Sequence, residues 1–80
     1  MSNLSGKETQ LDVSGLQCPM PLLKTKLALR SLAAGDILHV IATDAGSARD
    51  IPRYIAMSPH SLLEFTEDAG HFIFRIEKER

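Results

Sequence analysis

Cysteine occurs once in this chain, at Cys18, and that scarcity excludes an internal disulfide. A lone cysteine also cannot anchor a structural zinc site without help from His39, His60 and His71, which stand in separate segments without ligand spacing. They are taken as surface or half-buried polar side chains, and no metal is expected. Tryptophan is absent, and 9 Lys and Arg are balanced by 10 Asp and Glu for a net charge of -1. No basic surplus or stripe offers itself to a phosphate backbone, so direct nucleic-acid binding is not expected. No apolar run approaches the roughly 20 residues of a membrane span. The opening MSNLSGKETQ is polar and lacks the apolar stretch of a signal peptide. No membrane association is expected, and the expected location is cytoplasmic.

What remains is 80 residues, of which 44% are apolar, an ordinary composition for one small globular domain. Residues 1–8 are expected to form a flexible polar start, and 9–80 the domain. Gln10–Val13 reads as a short strand with Leu11 and Val13 on one face. Gly15 punctuates it. The run Cys18-Pro19-Met20-Pro21 follows, and both prolines fit a first helical turn, where a backbone N–H has no partner to lose. A helix is predicted from Leu22 to about Leu32, with Ala33-Ala34-Gly35 as its stop. Ile37–Thr43 is apolar on both faces, as in a central strand beside a parallel neighbour. A second helix is predicted over Ala48 to Met57, with Pro52 in its first turn or kinking it. Ser61–Thr66 and Phe72–Lys78 read as a hairpin joined through Glu67-Asp68-Ala69-Gly70, with Phe72, Phe74 and Ile76 turned inward. The order β-α-β-α-β-β, with crossovers stepping the same way, predicts a two-layer α/β sandwich. Its four-stranded mixed sheet carries both helices on one face.

In that arrangement Cys18 lies just before a helical turn, where unpaired amides and the helix dipole favour an anion. The expectation is a thiol whose pKa is lowered. The following loop opens on the same sheet edge, where reaction sites gather in open α/β sheets, and brings Asp44, Arg49 and Asp50 towards Cys18. Arg49 is expected to stabilise a sulfur anion, and Asp50 to cap its helix or pair with Arg49.

Leu11-x-x-x-Gly15-Leu16-x-Cys18-Pro19-x-Pro21, then Gly35, Asp44, Arg49-Asp50-Ile51-Pro52 and His60-x-Leu62, resembles the TusA/SirA-like sulfur-carrier family. The likeness runs from about residue 10 to residue 78. It implies a fold like the C-terminal domain of translation initiation factor three. It also implies that Cys18 takes a persulfide sulfur from a cysteine desulfurase and passes it to an acceptor protein, with no cofactor beyond that covalent sulfur. In the TusA branch the relay leads toward 2-thiouridine in tRNA; other branches supply molybdenum-cofactor enzymes or sulfur oxidation. Met20 stands between the prolines, where the TusA type carries an acidic residue, and this bears on the recipient.

At about 100° per residue, Leu22, Thr25, Leu29 and Leu32 form the expected core stripe of the first helix. Met20, Leu23 and Leu27, flanked by Lys24 and Arg30, form a second stripe that begins beside Cys18 and is a candidate surface for partner docking. The alternative for that stripe is packing against the second helix, or isolated surface leucines of the ordinary kind. For the chain as a whole the alternatives are a thiol-redox protein, for which it lacks a resolving cysteine, and a regulatory interaction domain.

Overall fold

The computed structural model describes residues 7–79. Its elements are β1 (Glu8–Asp12), α1 (Met20–Arg30), β2 (Ile37–Ala42), α2 (Ala45–Ala56), β3 (Ser61–Asp68) and β4 (His71–Glu77). The sheet order is β1-β2-β4-β3, with β1 parallel to β2 and both remaining pairings antiparallel. This is the two-layer α/β sandwich with a four-stranded mixed sheet. Of the expected loose start, residues 1–6 lie outside the described residues, and Glu8 already pairs with Ile37. The strand therefore opens two residues before Gln10, because pairing with β2 extends it beyond its apolar stretch.

Register explains the core. Leu11, Val40, Phe74 and Phe65 lie in one row across the four strands, and Thr9, Leu38, Ile76 and Leu62 in the next. Leu38, Val40, Ala42, Phe74 and Ile76 are fully buried beneath Leu29 of α1 and Ile51 and Ile55 of α2. Each large apolar side chain removed from water contributes about 1.5–3 kcal/mol before entropy is counted. The opposite face of β2 carries Ile37, His39 and Ile41, only half-buried, since no helix covers that side. In β4, Phe74 and Ile76 turn inward as expected, while Phe72 is partly buried against the core margin.

The boundaries differ from the sequence expectation for identifiable reasons. Helix α1 spans Met20–Arg30 rather than Leu22 to Leu32, with Pro19 at its N-cap and Pro21 in its first turn, where neither proline forfeits a helical bond. Helix α2 begins at Ala45 because Asp44 caps it, and Pro52 lies inside the helix rather than in its first turn. The carbonyl of Ala48 thus has no N–H to receive from position 52. Packing of Ile51 and Ile55 into the core holds the helix together across that gap. The hairpin loop is two residues, Ala69 and Gly70, with φ of 50° and 83°, the pair of positive values that matches strand twist. A bulge between Leu62 and Glu64 leaves Leu63 exposed on the edge strand. Among the described residues no helix is long and apolar enough to cross a membrane.

Candidate functional site

Two loops at one sheet edge build the site. The first leaves β1 through Val13, whose N–H donates to the Ile41 carbonyl at 2.8 Å and so keeps the chain against β2. Ser14 N–H donates to Asp12 Oδ1 at 2.9 Å, and Gly15 N–H to Thr43 Oγ1 at 2.9 Å. Gly15 has φ of 84°, a backbone setting that glycine reaches without strain. The loop then delivers Cys18, joined to Pro19 by a cis peptide bond, to the start of α1.

The second loop runs from β2 into α2. Asp44 is its N-cap, accepting Ser47 N–H at 3.2 Å through Oδ2. The same oxygen accepts Cys18 N–H at 3.3 Å. One carboxylate therefore closes the start of α2 and pins the cysteine backbone of the neighbouring loop. Gly46 completes the fit: a Cβ at that position would stand 2.9 Å from Asp44 Oδ2, 3.3 Å from Cys18 Cβ and 3.8 Å from Cys18 Sγ. The cysteine side chain thus lies against the first turn of α2, and a glycine there leaves it room.

Cys18 is exposed, and its thiol donates to Asp50 Oδ2 at 3.0 Å. The expectation of a lowered thiol pKa is overturned. That hydrogen bond stabilises the protonated sulfur and is the first cause that pushes the pKa up; loss of solvent and the charges of Asp50 and Asp44 act the same way, with Arg49 opposing. Two carboxylates close to the sulfur favour the protonated thiol, opposite to the anion-favouring setting expected of a helix start. Asp50 does not cap α2, a role Asp44 fills, though it does approach Arg49, with Nε to Oδ1 at 3.7 Å. The Arg49 side chain is 70% exposed and that of Asp50 25%, so the carboxylate that holds the sulfur is the more enclosed partner of the pair.

The remaining expected residues fall into two groups. Pro19 is exposed at the α1 N-cap, whereas Pro21 is buried and its carbonyl receives the Thr25 hydroxyl at 2.8 Å. Met20, Leu23 and Leu27 are 41%, 44% and 61% exposed, so the second helix does not cover that stripe. Instead α1 meets α2 on another side, where Lys26 Nζ stands 4.9 Å over the Tyr54 ring. Among the described residues no group of three or more His, Cys, Asp or Glu is arranged to hold a metal ion. Asp44-Ala45-Gly46-Ser47 reads in the sequence as a turn with capping residues, but neither the close approach of Gly46 to Cys18 nor the bridging role of Asp44 was legible there. The capping pattern Asp44-x-x-Ser47 was the available signal, and it shows only the cap.

A family model described as "Sulfurtransferase TusA" matches residues 9–78. A sulfur carrier protein TusA of Allochromatium vinosum is 42% identical over 71 residues, covering 89% of this chain and 93% of that protein. A sulfur carrier protein TusA of Pseudomonas putida is 46% identical over 69 residues, 86% of each chain. One from Pseudomonas aeruginosa is 42% identical over 69 residues, 86% of this chain and 87% of the relative. With the motif cysteine seated between two helix starts and a likeness spanning nearly its whole length, the chain belongs to the TusA sulfurtransferase family.

Proposed function

We propose that this protein carries sulfur as a persulfide on Cys18, accepting it from a cysteine desulfurase and passing it to a downstream acceptor protein. The single observation that carries this is an exposed, sole cysteine at the Cys-Pro-x-Pro turn of a TusA-family chain. Relatives named as sulfur carriers support it. No resident cofactor is needed, because the cargo is a covalent sulfur on Sγ, and the proposed site of action is the cytoplasm. The destination proposed first is the relay toward 2-thiouridine in tRNA. Met20, at the motif position where the TusA type is acidic, favours testing delivery to a molybdenum-cofactor enzyme beside it.

Pro19 and Pro21 hold the thiol-bearing turn at the start of α1, and Arg49 supplies positive charge at the site rim for the persulfide anion. The exposed stripe Met20, Leu23 and Leu27, with Lys24 and Arg30 at its flanks, is the proposed surface on which donor or acceptor sits while Cys18 reaches its active site. A thiol-redox role fits less well. Oxidation sensing needs ready thiolate, and the carboxylates work against it.

The deciding experiment is intact-mass spectrometry after incubation with a cysteine desulfurase and L-cysteine. Wild-type protein is expected to gain the mass of one sulfur atom and Cys18→Ser none. No gain on the wild type, or an equal gain on the serine variant, would refute the carrier function.

A further inference from the structure

Sulfur uptake poses a proton problem that the Cys18 surroundings answer. Cys18 rests as a protonated thiol donating to Asp50 Oδ2 at 3.0 Å, and none of His39, His60 or His71 bonds to it. The Asp44 carboxylate is already engaged by Cys18 N–H and Ser47 N–H. The third charged group at the sulfur, Arg49, is a cation and cannot serve as a base. Asp50 is thus the one carboxylate that touches the reacting atom itself.

We propose that Asp50 is the proton station of sulfur transfer, taking the Cys18 proton as the sulfur attacks and giving it to the leaving sulfur of the donor. This rests on the carrier function above. In the uptake step, Cys18 Sγ attacks the outer sulfur of a donor persulfide, R–S–S⁻. The new Sγ–S bond forms while the donor S–S bond breaks, its electron pair leaving on the donor sulfur. The Sγ proton becomes acidic as Sγ loses electron density, and it moves along the existing hydrogen bond to Asp50 Oδ2. From there it passes to the donor thiolate. The products are Cys18–S–S⁻ and R–SH, so atoms and charge balance and nothing is oxidised or reduced overall. The reverse path serves delivery.

The structure also accounts for restraint. In the free protein the same carboxylate keeps the sulfur protonated, which protects it from adventitious electrophiles. Asp50 therefore has opposite effects on two measurable rates, and that opposition is the test.

Wild type, Asp50→Asn and Asp50→Glu are each treated with iodoacetamide across a pH series and, separately, with glutathione persulfide under intact-mass detection. Asn cannot take up the proton and removes a negative charge from the sulfur. Its alkylation profile is expected to shift to lower pH, with faster alkylation at neutral pH, while its sulfur uptake slows by about 100-fold, the scale of a lost proton-transfer group. Asp50→Glu, which keeps a carboxylate, is expected to load faster than Asp50→Asn. Uptake that rises along with alkylation would show that Asp50 acts only through its field, and would overturn the proposal. So would equal uptake by the Glu and Asn variants, a comparison that holds even if both lose some stability. A wild type that gains no sulfur refutes the carrier function and this role together; a wild type that loads no faster than Asp50→Asn refutes this role alone.

Discussion

A single oxygen, Asp44 Oδ2, receives the Cys18 N–H and the Ser47 N–H, so the start of α2 and the position of the cysteine are fixed by the same atom. Gly46→Ala tests that joint. Helix propensity by itself would make alanine stabilising by up to about 1 kcal/mol. The added Cβ, 2.9 Å from Asp44 Oδ2, forces the cap aside, and a lost N-cap costs about 1 kcal/mol. The expected outcome in urea unfolding is no gain in stability, accompanied by a changed iodoacetamide rate at Cys18. A clear stabilisation with unchanged thiol reactivity would mean that Asp44 does not couple the loops. At this scale the sequence showed where the cysteine would sit, but not its protonation. The sequence brings Asp50 towards Cys18 but gives its carboxylate to the helix cap or to Arg49, whereas in the fold that carboxylate accepts the thiol, 32 residues away along the chain.

Helix α1 shows two apolar stripes doing different work. Pro21, Thr25 and Leu29 are buried on the sheet side, with Leu22 and Leu32 packed at the core margin, while Met20, Leu23 and Leu27 face outward. Leu29→Ala should cost about 2–5 kcal/mol by leaving a cavity. Leu23→Glu, at an exposed position, should change stability by no more than about 0.5 kcal/mol. If the outward stripe docks a partner, Leu23→Glu should nonetheless impair desulfurase-dependent loading while leaving uptake from glutathione persulfide intact. Unimpaired transfer with every protein donor and acceptor would remove the docking role. The helical period made both stripes visible in the sequence, since residues three and four apart share a face. The start of α2 was less visible: Ala45 and Gly46 carry no apolar signal, and the cap that begins the helix is a polar side chain.

Across the whole molecule, a net charge of -1 conceals a separation. The helices carry Lys24, Lys26, Arg30, Arg49 and Arg53 with only Asp50 opposing, whereas Glu8, Asp12, Glu64, Glu67, Asp68 and Glu77 lie on the strands with Arg75. On the uncovered sheet face Glu8 meets His39 at 3.3 Å and Arg75 at 3.4 Å, and its carboxyl is held below the ordinary carboxylate range, first by the His39 hydrogen bond. That contribution is present above the unfolded pKa and is lost as pH falls through the lowered folded one. His60 acts earlier. Its Nδ1 accepts the Glu79 N–H at 3.1 Å, linking the approach to β3 with the end of β4. Burial, then the Lys78 charge, push its pKa below the ordinary 6.5, with Glu79 opposing. A base with a depressed folded pKa stabilises the fold above its unfolded value. As pH falls the unfolded chain takes the proton first, and protonated Nδ1 can no longer accept from Glu79. Melting temperature is therefore expected to fall between about pH 7 and pH 5, before the carboxylates are involved. His60→Asn, whose Oδ1 accepts without titrating, should flatten that part of the curve; an unchanged acid slope in the variant would place the loss elsewhere.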